Sequence, residues 1–378
     1  VELLFKKRNL MLFSSFFLNN NKFLIKASNR FSSLKTGIIH SIFIVIDLYT
    51  NFMKIKVAII GCGYWGTNIG ATLEKMDSIE TLIFDNNKNK LNLLAKRFPK
   101  LKKTNSLKEI LLDKDIKGVI IATNPTTHFN LAQKIIISGK AIFVEKPLTK
   151  SSGDIQKLID LSKLHKTIIM SGYIYHYNSY INYIKNIIKN KKLGEIKFIE
   201  FIRNNLGPIR TDVSCIWDLA SHDISTALLL LGSIPKITEV TKYNILSKKN
   251  FDTACINLKF KNTFVNINCS WLYPEKIRKL TIVGSKKMLL FDEMDRSFPV
   301  KIYEKYATYP DIKSLTKNKF NAKAKVYVGK TVVPKIKYSQ PLKNEMLHFI
   351  SCIKKKITPI TDANHALKIT KLIEKIEK

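Results

Sequence analysis

The sequence predicts an α/β protein: an N-terminal doubly wound domain on a parallel sheet, then an α+β domain on an open, mainly antiparallel sheet. Three observations predict it. From Lys54 to Gly172, short β-branched runs alternate with amphipathic helical stretches; a glycine cluster follows the first run; and beyond Asn190 successive strands are joined by short turns. Runs of the first kind, separated by helices, belong to a parallel sheet covered on both faces. Alternating strands with tight connections belong to an antiparallel sheet with one polar face. A chain of 378 residues is long enough for about two such domains.

In the first domain, strands are expected at Lys56–Ile60, Thr81–Asp85, Gly118–Thr123, Ala141–Glu145 and Thr167–Gly172. Helices are expected at Trp65–Met76, Lys88–Phe98, Leu107–Leu112, His128–Ser138 and Ser152–His165. A helix at Ser179–Asn190 leads into the second domain, with strands at Glu195–Arg203, Ile237–Leu246, Thr253–Phe260, Phe264–Trp271, Lys279–Val283 and Lys287–Phe291. A helix at Asp218–Leu231 interrupts them, Tyr306–Lys323 reads as a loop, and helices at Leu342–Ile353 and Asn364–Ile376 close the chain. The domains are placed at 53–174 and 175–378, the last two helices being free to pack back on the first domain. Residues 1–52 are acid-poor and precede a self-sufficient start at Met53. They are expected to be a non-native or disordered extension, a targeting segment being the alternative.

The formal charge of +35 raises the question of nucleic acid. Only seven of the 64 basic residues are Arg, and the lysines are scattered over amphipathic helices instead of gathered with aromatics. A solvated basic surface is therefore expected, with no nucleic-acid partner. Where Arg survives such a bias toward Lys its planar fork is needed, which draws attention to Arg203 and Arg210. Five cysteines without a C-x-x-C pair exclude a disulfide framework and a zinc site, and indicate a reducing, cytoplasmic setting. No metal is expected. No apolar run reaches the roughly 18 residues of a membrane helix, so no membrane partner is expected either.

Gly61-Cys62-Gly63-Tyr64-Trp65-Gly66 follows a strand and opens a helix. In that setting G-x-G-x-x-G is a Rossmann dinucleotide turn. Gly61 turns the chain, Gly63 admits the phosphates to the backbone, and Gly66 lets helix and strand pack closely. Asp85 ends the next strand about 20 residues on, where a carboxylate accepts the adenosine ribose hydroxyls. No Arg closely follows it, so NAD is expected over NADP.

Val144-Glu145-Lys146-Pro147-Leu148, Ala122-Thr123-Asn124-Pro125-Thr126-Thr127-His128, Gly172–Asn178, Trp217–Asp223 and Gln340–Glu345 together resemble the motifs of the Gfo/Idh/MocA oxidoreductases, from about Met53 to the C-terminus. His176 stands where that family often has Arg. The resemblance implies an NAD(P)-dependent dehydrogenase of CH–OH groups, with a cis bond before Pro147. It places Tyr64, Trp65, Thr123, Asn124, His128, Glu145 and Lys146 at the cofactor, and His222 beside Lys146 at the reacting carbinol. A base for the hydroxyl proton and donors at the forming carbonyl are what that chemistry requires. His222 is expected as acid/base and Lys146 as polariser and proton partner, either of them being able to act as the immediate proton acceptor. Asp218, one helical turn before His222, would raise its basicity and orient it; a capping role for Asp218 is the plain alternative.

Arg203 to Asp212, followed by Trp217, is similar to the branch acting on nucleotide sugars, the UDP-N-acetyl-hexosamine and -hexosaminuronate 3-dehydrogenases. That similarity places Tyr175, Asn178, Arg203, Arg210 and Trp217 at the substrate. Arg203 and Arg210 would hold a pyrophosphate or carboxylate, or else salt-bridge the domain's own edge. The expected reaction is oxidation at C3 of a UDP-N-acetyl sugar in the synthesis of cell-surface polysaccharide precursors. A free sugar or inositol dehydrogenase of the same family and a non-catalytic dinucleotide sensor are the alternatives. A homodimer or homotetramer is expected, joined through the open face of the second sheet.

Overall fold

The computed structural model describes residues 54–246, 248–309 and 324–378. The expected extension at 1–52 and most of the expected loop at Tyr306–Lys323 lie outside them.

The first strands and helices alternate: β1 (Ile55–Ile60), α1 (Tyr64–Glu74), β2 (Ile79–Phe84), α2 (Lys88–Arg97), β3 (Lys102–Thr104), α3 (Leu107–Leu112), β4 (Ile116–Ile121), α4 (Pro125–Ile137), β5 (Ala141–Glu145), α5 (Ser152–Leu164) and β6 (Ile169–Gly172). The strands form one parallel six-stranded sheet in the order β3-β2-β1-β4-β5-β6. The order reverses at β1, so a crevice opens at the carboxyl ends of β1 and β4, where such sheets receive their ligands. Helix starts follow their capping residues: Asn87, Ser106, Asn124 and Ser151 each accept a backbone N–H two or three residues ahead.

A short 3₁₀ turn (Ile174–Tyr177) and α6 (Ser179–Lys189) lead to β7 (Ile196–Asn204). A wide π-type turn (Ile216–Ala220) then runs directly into α7 (Ser221–Leu231). Strands β8 (Lys236–Tyr243), β9 (Thr253–Phe260), β10 (Thr263–Ser270), β11 (Ile277–Gly284), β12 (Met288–Asp292), β13 (Val300–Thr308) and β14 (Lys325–Val332) complete an eight-stranded sheet ordered β14-β13-β12-β11-β7-β10-β9-β8. All its pairings are antiparallel except β7 with β10. Tyr306–Thr308, expected in a loop, belong to β13, where Tyr306 stacks on Tyr327 of β14 at 4.4 Å.

Helices α8 (Pro341–Lys355) and α9 (Ala363–Glu377) return to the parallel sheet. Met346, Phe349 and Ile350 of α8 join α1 and α2 in the core on one face. Ile369, Leu372 and Ile373 of α9 join α4 and α5 on the other, in a cluster that continues without a break into the inner face of the second sheet. Each face of the parallel sheet is thus closed partly by the end of the chain, and the two sheets share one core.

Gly118 of β4 sits directly under α8. A Cβ there would meet Ile353 Cδ1 at 2.6 Å and the Phe349 ring at 3.1 Å. Gly118→Val should therefore overpack this seam and cost about 1–3 kcal/mol in urea unfolding; an unchanged midpoint would show that α8 is not seated there.

Candidate functional site

The glycine turn does what its spacing predicts. Gly61 has φ +101°, and its N–H donates to Phe84 O at 2.8 Å. A Cβ on Gly66 would lie 1.8 Å from Gly61 O, so any side chain there would drive α1 off β1. A Cβ on Gly63 would meet nothing within 4 Å. Gly63 therefore faces open space at the start of α1, whose first turn has neither a side-chain cap nor an acid. Unsatisfied N–H groups beside a bare backbone suit a pyrophosphate. Asp85 stands at the tip of β2, its oxygens accepting Cys62 N at 2.6 Å and Asn87 N at 2.7 Å. Gly61, Gly63 and Asp85, with Tyr64, Trp65, Thr123, Asn124, Glu145 and Lys146, line a crevice of about 750 Å³. The residues present fit a dinucleotide.

A second cavity, of about 400 Å³, joins the crevice through shared walls of Tyr64, Trp65, Lys146 and Asp218. His222, Tyr175 and Trp271 line it as well. Lys146 comes from the tip of β5, and the peptide bond to Pro147 is cis. Its side chain is only 8% exposed, and Nζ donates to Asp218 O at 2.8 Å and Asp218 Oδ1 at 3.1 Å. Burial alone would raise the Asp218 carboxyl. Lys146, then Arg210 and the Trp271 N–H, outweigh it and hold the group below the usual carboxylate value. His222, the second residue of α7, makes an edge contact with the Tyr175 ring at 5.3 Å and has no side-chain hydrogen bond among the described residues. Burial first, then the charges of Lys146, Arg203 and Arg278, hold its imidazole well below the usual value, so it is neutral near pH 7.

That arrangement corrects the expected Asp218–His222 pair. Asp218 turns to Lys146, Arg210 and Trp271 instead, and His222 is made less basic, not more. Asp218 lies in the wide turn at Ile216–Ala220, within reach of donors from three other segments, and these take its oxygens. Arg203 and Arg210 are not free anion binders either. Arg203 makes a buried fork with Asp223, at 2.6–3.0 Å, and donates to the Tyr175 hydroxyl at 2.8 Å. Arg210 pairs with Asp212 at 2.6 and 2.9 Å. Trp217 is 4% exposed and points away from the cavity, its Nε1 donating to Glu377 of α9 at 2.7 Å. Trp271, at the end of β10, takes the place expected of it. His128 is wholly buried, its ring nitrogens 2.8 Å from Pro147 O and 3.1 Å from Thr123 O. It ties the loop after β4 to the loop after β5 and does not line the crevice. Asn178 reaches the cavity wall, but its Oδ1 caps α6. His176 lies in the core, bridged to His365 through the Ser225 hydroxyl at 2.9 and 3.0 Å.

Sequence reasoning missed Trp271, Asn205, Arg278 and Glu293, all of which line the second cavity. The parallel β7–β10 pairing that sets Ser270, next to Trp271, beside Asn204 has no local signature. Arg278 carried a usable signal, the same scarcity of Arg that singled out Arg203.

Two family profiles match the chain. One, described as an oxidoreductase family with NAD-binding Rossmann fold, spans residues 55–173; the other, the GFO/IDH/MocA C-terminal domain, spans 181–290. The chain belongs to the Gfo/Idh/MocA oxidoreductases. Like that family it is an NAD-binding-fold enzyme acting on CH–OH groups. It is 25% identical over 272 residues to UDP-N-acetylglucosamine 3-dehydrogenase of Acidithiobacillus ferrooxidans, covering 69% of this chain and 80% of that enzyme. It is 21% identical over 257 residues to myo-inositol 2-dehydrogenase of Thermotoga maritima, covering 63% and 75%. The solved structure of the Acidithiobacillus ferrooxidans enzyme superposes with a TM-score of 0.70 at 18% identity, over 86% of this chain and 97% of that one.

Glu145, next to Lys146 in this Gfo/Idh/MocA site, is buried, and burial pushes its carboxyl up to about 7 against the opposing Lys146 charge. Glu345, buried beside it with one oxygen unpartnered, is raised further by burial and then by Glu145. A carboxyl that gains proton affinity on folding costs nothing below its unfolded value and destabilises as pH rises through its folded one. Glu145→Gln should therefore raise Tm relative to the parent at about pH 8 and much less at about pH 5. An equal difference at both values would mean that Glu145 is not buried as a neutral acid.

Proposed function

We propose that the enzyme oxidises a sugar carbinol, specifically the C3 hydroxyl of a UDP-N-acetyl sugar, in making precursors of cell-surface polysaccharide. The observation that carries the reading is the junction of the two cavities. A buried ammonium and an unbonded neutral imidazole face one space that opens into a dinucleotide crevice. Gly61, Gly63 and the start of α1 would hold the pyrophosphate, Asp85 the adenosine ribose, and Tyr64, Trp65, Thr123, Asn124, Glu145 and Lys146 the remainder. NAD, bound there, supplies the hydride acceptor. With no Arg beside Asp85, its carboxylate would repel a 2′-phosphate, which favours NAD over NADP.

Within that frame the protein's own groups have separate work. His222, neutral near pH 7, accepts the hydroxyl proton as the carbinol carbon becomes a ketone. Lys146 donates a hydrogen bond to the same oxygen and would otherwise swing toward solvent; Asp218, gripping Nζ by side chain and backbone, holds it in place. Asp218 is thus a positioning residue. His128 fixes the Pro147 carbonyl, and with it the stem of the catalytic loop.

The similarity to a UDP-N-acetylglucosamine 3-dehydrogenase supports the nucleotide-sugar reading. The similarity to myo-inositol 2-dehydrogenase keeps a free polyol as the second reading. Phe198, Ile202, Val283, Met288 and Leu290 alternate with core residues along the outer face of the second sheet, only partly covered. We assign that face to a homodimer or homotetramer contact. The free thiols fit a cytoplasmic enzyme.

UDP-N-acetylglucosamine should drive NADH formation by the purified chain. Lys146→Ala and His222→Ala should each lower kcat by about 10²–10⁴-fold with NADH still bound. Turnover with free inositol but none with UDP-sugars would select the second reading, and normal turnover in both variants would remove the catalytic assignment. Asp85→Ser should narrow the preference for NAD over NADP by at least about tenfold in kcat/KM; an unchanged ratio would dissociate Asp85 from the ribose.

A further inference from the structure

We propose that Arg278 is the specificity residue of this site, receiving an anionic group of the substrate through its guanidinium. The inference rests on the sugar-dehydrogenase reading and narrows it to a sugar bearing a phosphoryl or carboxylate oxygen.

Among the described residues three cations line the second cavity: Lys146, Arg203 and Arg278. Two have a carboxylate of their own. Lys146 holds Asp218, and Arg203 is forked onto Asp223. Arg278 sits directly across from Arg203 in the β7–β11 register, on the same inner face of the sheet. Its acceptors are all neutral: Asn204 O at 3.1 Å, Ile277 O at 2.8 Å and the side-chain oxygen of Asn205. A guanidinium has five N–H donors in a fixed fork. Three are used, so Nε and one Nη2 hydrogen have no acceptor among the described residues, and Nε is not a sealed, unpartnered atom.

The other charged groups facing Arg278 do not supply the missing partner. Glu293, from the turn after β12, accepts the Tyr175 hydroxyl at 2.6 Å, and its backbone N–H donates to Arg278 O at 2.9 Å; no ion pair joins the two side chains. Asp223 is enclosed by Arg203. Burial, and then the neighbouring Arg203 charge, make the charged form of Arg278 costlier than in water. Tyr175, Asp223 and Glu293 offset this only in part. A half-buried cation with spare donors, beside a second cation, is stabilised when an oxyanion arrives, and the fork matches a carboxylate or phosphoryl group with two parallel bonds. A neutral sugar gives it nothing comparable. Two of the three existing bonds hold the fork still by tying it to Asn204 and Asn205, the residues that end β7 and start the loop over the cavity.

The experiment is calorimetric titration of the NADH-loaded full chain with two matched pairs: UDP-N-acetylglucosamine against N-acetylglucosamine, and glucuronate against glucose. The parent should bind the charged member of at least one pair at least tenfold tighter than its neutral mate. Arg278→Gln should shrink that ratio at least tenfold, with Arg278→Lys retaining part of it. A loss confined to the first pair assigns the anion as phosphoryl, and one confined to the second as carboxylate. NADH affinity reports that each variant is folded. If Arg278→Gln weakens all four ligands equally, the residue only braces the loop and the proposal is overturned. A parent that binds neither charged ligand more tightly, while it still oxidises some neutral carbinol, overturns the proposal and leaves the dehydrogenase reading intact. A parent that oxidises no carbinol removes that reading itself.

Discussion

The grip of Asp218 on the Lys146 ammonium is the contact on which the site depends. Lys146 projects from the end of a strand in the parallel sheet, and Asp218 from the turn that starts α7 over the antiparallel sheet. Their bond therefore spans the line where the two halves of the molecule meet, and it fixes a proton donor at the mouth of the dinucleotide crevice. The pair is largely withdrawn from water, so its worth is not in net stability, which desolvation would largely cancel. Its consequence is direction. A lysine stem has several rotatable bonds, and two acceptors on one residue leave the ammonium little freedom to leave the cavity.

The electrostatics around that contact are consistent with it. Lys146, Arg203 and Arg278 surround His222 and, together with burial, keep its ring uncharged. An imidazole held that way can accept a proton during oxidation and is not already protonated at neutral pH. The same cations would favour charge building on an oxygen between them. Beneath the cavity, Arg203, Tyr175, Asp223 and Glu293 form a connected floor of charge-assisted hydrogen bonds, so the walls are set before a substrate enters.

The first half of the fold was legible because period and punctuation agree there. Buried runs such as Ile116–Ile121 can only be central parallel strands, and the Gly61–Gly66 spacing has one structural use. Only β3, three residues on the sheet edge, gave too short a signal. Six of the second sheet's strands were legible but β13 and β14 were missed, and the strand order was not legible, since the β7–β10 parallel pairing joins segments far apart and leaves no turn to read. Of the site, the glycine turn, Asp85, Lys146 and His222 could be placed from the sequence. Partners could not. The i,i+4 rule joined Asp218 to His222 because it names neighbours on a helix face, and it could not foresee the tertiary donors Lys146, Arg210 and Trp271 that take the carboxylate. Trp217 was expected at the substrate, and only tertiary packing sends it to Glu377 and brings Trp271 to Asp218. An isolated Arg looks like a ligand binder until its acid is found, and Asp223 and Asp212 became the partners only in three dimensions.

The most direct test of the central claim is a crystal structure of the enzyme with NAD and a bound nucleotide sugar. The account predicts the reacting hydroxyl within hydrogen-bond reach, about 2.6–3.2 Å, of both Lys146 Nζ and a ring nitrogen of His222, with Lys146 still bonded to Asp218. A sugar seated with its carbinol away from these two groups, or a dinucleotide outside the crevice at Gly63, would contradict it.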